Sequence, residues 1–252
     1  MNTVLIALYR LWKRFTGWPK AAVLESAFML LNNMFFLLIW YVAVSKNAVA
    51  GWGMDEALLF LGSTAVGFAL GSIFFGGNMN LENIVDGTFD LYFLRPRSVW
   101  LQYATDGDSL SALGDLAFGV FLLGICTYPL HVKLFVVLSV VFVQLSLTTT
   151  ISGAFMVLRA VNTEVFSRLW DVAFSQAVWP SHALKDWALR FVLIFLLPGL
   201  LYVTLPIEVI RGEAPAWPLL TGYALWAVLP VIAWKVGLKR YTGVSGYGWM
   251  GQ

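Results

Sequence analysis

The sequence carries one cysteine, Cys126, two histidines, His131 and His182, and few charges: 16 Lys+Arg and 14 Asp+Glu, 12% of 252 residues. A lone cysteine excludes an intramolecular disulfide and a cysteine-rich metal site. The two histidines fall in different loops, and no H-E-x-x-H or related metal spacing occurs. No G-x-x-x-x-G-K-[ST] phosphate loop is present, so the chain has no such route to binding and hydrolysing ATP. Ser and Thr are plentiful, yet with two histidines in the chain they have no obvious base for nucleophilic catalysis. The net charge of +2 gives too small a basic excess for nucleic-acid binding by charge alone. An average soluble domain is roughly 25% charged, so this chain lacks the polar surface of a cytosolic enzyme.

What the sequence has is apolar length. It is 60% hydrophobic and 16% aromatic, with a mean hydropathy of +0.77. A helix needs about 20 apolar residues to cross the hydrocarbon core. Stretches with almost no charge predict six spans, at 26–45, 57–77, 110–128, 134–158, 188–207 and 214–234. The fifth is broken by Pro198-Gly199. Alternating barrel strands do not produce such unbroken runs. The expected fold is an all-α integral membrane protein with six transmembrane helices. No internal repeat, low-complexity tract or long linker divides 1–252, which reads as one transmembrane domain.

Lys and Arg set the orientation. Thirteen of the 16 fall in the N-terminal segment, the loops at 78–109 and 159–187 with their flanks, and the tail; Lys46, Lys133 and Arg211 are the other three. Both termini and the two long loops are therefore expected in the cytoplasm. Within residues 1–20, Val4, Leu5, Leu8, Leu11, Trp12 and Phe15 recur at helical spacing, opposite Arg10, Lys13 and Arg14. That pattern predicts an amphipathic helix lying on the inner leaflet, in contact with membrane lipids, rather than a signal peptide.

Polar residues inside the spans form a second set of candidates. Asp115 is the acid well inside a span; intramembrane ionisable groups are functional candidates, though Asp115 also sits where it would reach headgroups or a neighbouring helix. Ser63, Gly67 and Gly71 give span two a small-residue face. Gln144 and Thr148 belong to a polar inner section of span four, and Asn32 and Asn33 lie in span one. These residues either hydrogen-bond helices within one bundle or line a path or a subunit interface.

The loop at 78–109 carries the most information. Glu82, Asp86 and Asp90 stand at i, i+4 and i+8, one acidic stripe if the segment is helical. Ile84, Val85, Phe89, Tyr92 and Phe93 add apolar and aromatic surface, and Arg95-Pro96 ends the helix. A short helix with exposed aromatics suits docking into the groove of a soluble partner.

At this loop the sequence resembles the permease subunits of ABC transporters of the ABC-2 type, in particular the bacterial two-permease branch related to drug-export permeases. The resemblance rests on Asp86-Gly87-x-x-Asp90-x-x-x-x-Arg95-Pro96 and on the tail from Gly237-Leu238 through Tyr241-Thr242-Gly243, with Thr242-Gly243 where that ending carries Ser. It implies a permease of the bacterial inner membrane that forms half of an export path and performs no catalysis itself. It implies a separate P-loop ATPase pair that binds ATP and Mg, so that no cofactor belongs to this chain, and docks on Glu82 to Arg95 as a coupling helix. A second permease copy or a paralogous permease would complete the path. Two rival readings are a membrane scaffold that docks a cytoplasmic partner and an intramembrane enzyme using Asp115.

Overall fold

Away from water, a backbone must satisfy its own polar groups, and long apolar stretches do so as helices. In the computed structural model the described residues are 3–46, 49, 51–107, 110–158, 162–166, 168, 172, 184 and 186–243. Among them every regular element is helical. Arg159, His182, Lys185 and most of the loop at 159–187 lie outside the described residues, as does the tail from Val244.

Helix α1 spans Thr3–Gly17 and α2 spans Pro19–Ser45, separated by Trp18. Proline suits the first position of a helix because its missing N–H would be unpaired there anyway. After α3, Met54–Phe75, a 3-10 turn at Gly76–Met79 leads into a loop holding α4, Glu82–Val85, and α5, Val99–Ala104. Then come α6, Ala112–Ile125, and α7, Leu130–Leu158. The segment expected as span five is α8, Trp187–Phe191, a π-type turn at Val192–Leu196, then α9, Gly199–Tyr202, and α10, Thr204–Ile210. The last helix, α11, is Ala216–Arg240.

Among the described residues α2, α3, α7 and α11 are each long and apolar enough to cross a bilayer. The segments expected at 110–128 and 188–207 hold shorter apolar helices, Ala112–Ile125 and Trp187–Leu196. At 1.5 Å per residue α6 is about 21 Å long, short of the hydrocarbon thickness on its own. The break after Leu196 falls at Leu197-Pro198, since proline cannot donate to the helix ladder.

The core lies between α3, α6, α7 and α11, where small residues let backbones approach. A Cβ on Gly237 would stand 2.6 Å from the Gly153 carbonyl oxygen, so α11 and α7 meet at the closest spacing backbones allow. By contrast α2 buries only Ala22 and Trp40.

Candidate functional site

The segment expected as one helix over 82–94 does not stay helical. Gly87 has φ of +87°, a left-handed conformation that a Cβ resists, and it ends α4. Asp86 Oδ1 accepts the Thr88 N–H at 2.8 Å, closing the turn. A 3-10 turn at Thr88–Tyr92 follows in a new direction. In place of a coupling helix there are thus two short helical turns, and the acidic stripe is bent. Glu82 and Asp86 are exposed, whereas Asp90 is half-buried and accepts the Tyr241 hydroxyl at 2.7 Å.

The turn also divides the apolar residues. Ile84, Phe89 and Tyr92 are buried, and Val85 is half-buried. Phe89 and Tyr92, read from sequence as surface anchors, belong to this chain's own core. The Phe89 ring meets Tyr241 edge-on at 4.9 Å and Tyr103 at 5.2 Å, and Tyr103 stacks on Trp234 at 5.7 Å. Facing outward are Leu91, Phe93, Leu94 and Arg95. The two fragments that carry the family resemblance, far apart in the chain, thus touch through Asp90 and Tyr241.

Asp106 joins this loop to the N-terminal helix. Arg10 Nη1 lies 2.7 Å from Asp106 Oδ1 and donates to the Thr105 carbonyl at 2.8 Å. The Tyr92 hydroxyl donates to the other Asp106 oxygen. Burial, reinforced by the Asp106 carboxylate, pushes the Tyr92 phenol well above its usual range, so it remains a donor. Burial does the same to Tyr103, whose hydroxyl donates to the Asn80 carbonyl at 3.3 Å. Sequence reasoning missed Arg10 and Asp106 as a pair, having assigned Arg10 to the membrane surface.

The intramembrane candidates separate into pairs. Asp115 is buried on α6, and the Asn33 amide of α2 donates to its Oδ1 at 2.6 Å. Asp115 therefore meets a neighbouring helix, one of the two structural alternatives open from sequence. Gly67 and Gly71 of α3 face Val140 and Gln144 of α7, and Ser63 on α3 and Thr148 on α7 are buried. A Cβ on Gly67 would stand 2.4 Å from the Val140 Cβ, and one on Gly71 would stand 2.0 Å from Gln144 Oε1. Gln144 Nε2 approaches Ser72 Oγ at 3.5 Å, and Thr148 donates back to the Gln144 carbonyl at 2.8 Å. The small-residue face of α3 is thus filled by a helix of the same chain. Asn32 instead faces outward.

At the opposite end of the bundle, Arg211 bridges three elements. It donates to the Gly51 carbonyl at 2.6 Å, pairs with Glu213 at 2.8 Å and stands 3.4 Å from Glu56, which also accepts the Tyr128 hydroxyl at 2.9 Å. Lys133 caps the end of α6 by donating to the Leu123 and Cys126 carbonyls, each at 2.7 Å. Among the described residues no group of three His, Cys, Asp or Glu is gathered to hold a metal ion.

These features define a multi-pass helical membrane protein with a braced surface loop at one end. The model of the family described as ABC-2 family transporter protein matches residues 27–245, and the chain belongs to that family as an ABC transporter permease. The match takes in the loop, α11 and the tail through 245. Neither the curated proteins nor the solved structures contain a match.

Proposed function

We propose that this chain is the membrane-spanning half of an exporter's translocation path, driven by a separate pair of P-loop ATPase subunits that bind ATP and Mg. The observation that carries the docking site is an apolar tip raised on a braced loop: Leu91, Phe93 and Leu94 are 50%, 47% and 80% exposed. Glu82, Asp86, Arg95 and Arg97 of the same loop are exposed as well and would supply a charged rim. An apolar centre within a polar rim is the usual anatomy of a protein contact. The loop then has two routes inward, through Asp90–Tyr241 to α11 and through Asp106–Arg10 to α1. Closure of the ATPase pair would push on the tip, and these braces would pass the movement to the helices.

The basic-residue bias supports both termini and the loop end in the cytoplasm, and the family resemblance supports a bacterial inner membrane. The apolar runs together with the broken segment at 188–207 support six spans. A path made of two halves requires a second permease chain. The intramembrane-enzyme reading finds no support in the geometry, because Asp115 faces an amide rather than a second carboxylate or a histidine.

Purification of the complex from its native membrane tests the proposal. A copurifying P-loop ATPase whose hydrolysis rate changes on binding the permease is the expected result. A permease that holds some other soluble partner and no ATPase would overturn this reading in favour of a scaffold.

A further inference from the structure

Two hydroxyls in the polar section of α7 meet the surface loop. Thr149 Oγ1 accepts the indole N–H of Trp100 at 3.4 Å, and Ser152 Oγ lies 3.4 Å from the Tyr103 hydroxyl. Trp100 and Tyr103 share one face of α5 at i, i+3 spacing, and Thr149 and Ser152 share one face of α7 at the same spacing. The two rungs run in the same order, which lays α5 alongside α7 for one turn. Thr149, Ser152 and Tyr103 are buried, and Trp100 is half-buried. Thr148 and Thr150, on either side of Thr149, bond back to the Gln144 and Ser146 carbonyls of their own helix, at 2.8 Å and 2.7 Å.

Gln102 joins α5 to the exposed tip. It is buried, and its Nε2 donates to the Tyr92 and Arg97 carbonyls, each at 3.1 Å. Those two carbonyls bracket the outward-facing Phe93, Leu94 and Arg95. The loop also closes on itself at its neck. A Cβ on Gly77 would collide with the Tyr103 carbonyl oxygen, and one on Gly107 with the Gly76 backbone. The Tyr103 hydroxyl, 3.3 Å from the Asn80 carbonyl oxygen, fastens that neck to α5. A loop braced across its tip and closed at its base has little slack, so a displacement of the tip carries α5 with it.

We infer that α5 is a third route from the tip into the membrane helices, with Gln102 and Tyr103 as its positioning residues and α7 as the helix they move. The route rests on the reading of the tip as the ATPase contact. It gives Thr149 and Ser152 a part in transmission rather than in a path or a subunit interface. Helix α7 is well placed to pass a displacement on. Its Val140 fills the gap left by Gly67 of α3, and its Gly153 meets Gly237 of α11 backbone to backbone. A push delivered to α7 therefore reaches both of its neighbours, whereas the braces through Tyr241 and Arg10 each end on one helix.

Titration of the copurified ATPase onto permease in bilayers tests the route, because it separates binding from response. Two quantities are read: the ATPase concentration for half-binding, and the change in hydrolysis rate at saturation. Tyr103→Phe and Ser152→Ala each remove one hydroxyl and keep the surrounding packing. Both should leave half-binding and the thermal midpoint unchanged and reduce the rate change about 2- to 10-fold, the factor one hydrogen bond supplies. The double variant should lose no more than Tyr103→Phe, since the two share a contact. Trp100→Phe, which drops the N–H of the other rung from a half-buried ring, should act in the same direction. Thr150→Val, on another face of α7, should change nothing, and Leu94→Ala should show the opposite split, weaker binding with a full response at saturation. A wild-type permease that binds no ATPase overturns the proposed function and this route together. Normal binding with an undiminished response in all the α5 and α7 variants overturns the route alone. A lost response that tracks a lowered thermal midpoint, or that adds in the double variant, makes the contact structural and also overturns the route.

Discussion

Phe89 and Leu94 lie five positions apart on the same loop and do opposite things. Phe89 is fully buried among Tyr92, Tyr103, Trp234 and Tyr241, so Phe89→Ala opens a cavity that costs about 3–5 kcal/mol. It should lower the midpoint of thermal unfolding in detergent, and any loss of ATPase binding would follow from that. Leu94, 80% exposed, supports no core; Leu94→Ala should leave the midpoint unchanged and reduce the ATPase copurified per folded permease. Equal thermal loss in both variants would show that the tip is structural. The sequence supplied the residue types here but not their directions. A stripe at i, i+4 and i+8 presumes an unbroken helix, and Gly87, standing inside that stripe, is the signal that breaks it. Asp115 was legible as exceptional from sequence because a carboxylate inside an apolar run has few explanations; its partner was not, since Asn33 and Asn32 are equivalent on paper and differ only in which way they face. Asn33→Leu should leave the buried Asp115 carboxyl without its amide, whereas Asp115→Asn keeps a polar pair. The first should cost about 1–3 kcal/mol of stability and the second much less, read from the same thermal assay.

At the scale of elements, long helices were readable because the membrane leaves an apolar backbone no alternative, and the break at Pro198 because proline removes a donor. The braces between elements were not readable. Arg10 and Asp106 are ordinary surface residue types, and nothing in their separate neighbourhoods marks them as a pair. Each is about one-third exposed, so the pair should contribute no more than about 1 kcal/mol once water screening is allowed for. A double-mutant cycle of Arg10→Ala and Asp106→Ala should therefore return a small coupling in thermal stability. Coupling in ATPase stimulation should be larger, because the brace acts on transmitted movement rather than on folding. If the two changes simply add in both assays, α1 does not receive motion through Asp106, and the routes to the other helices stand without it.

For the whole molecule the remaining question is which end faces the ATPase. Arg10, Arg95, Arg97, Lys239 and Arg240 belong to the loop end, while Lys133 and Arg211 are held at the other by contacts with carbonyls and carboxylates. Two of the three cations at that other end are thus tied into structure, the third, Lys46, being exposed, whereas several at the loop end are exposed, among them Arg95, Arg97 and Lys239. Free cations beside a span are the ones that resist translocation and attract anionic inner-leaflet lipids. The loop end should accordingly be cytoplasmic. Single cysteines at Arg97 and at Lys46, on a Cys126→Ala background, separate the two orientations. Intact cells treated with a membrane-impermeant maleimide should label Lys46→Cys and leave Arg97→Cys unlabelled until the membrane is opened. Arg97→Cys labelled in intact cells, with Lys46→Cys protected, would place the apolar tip outside. No ATP-driven partner works there, so that single result would remove the proposed docking site along with the topology.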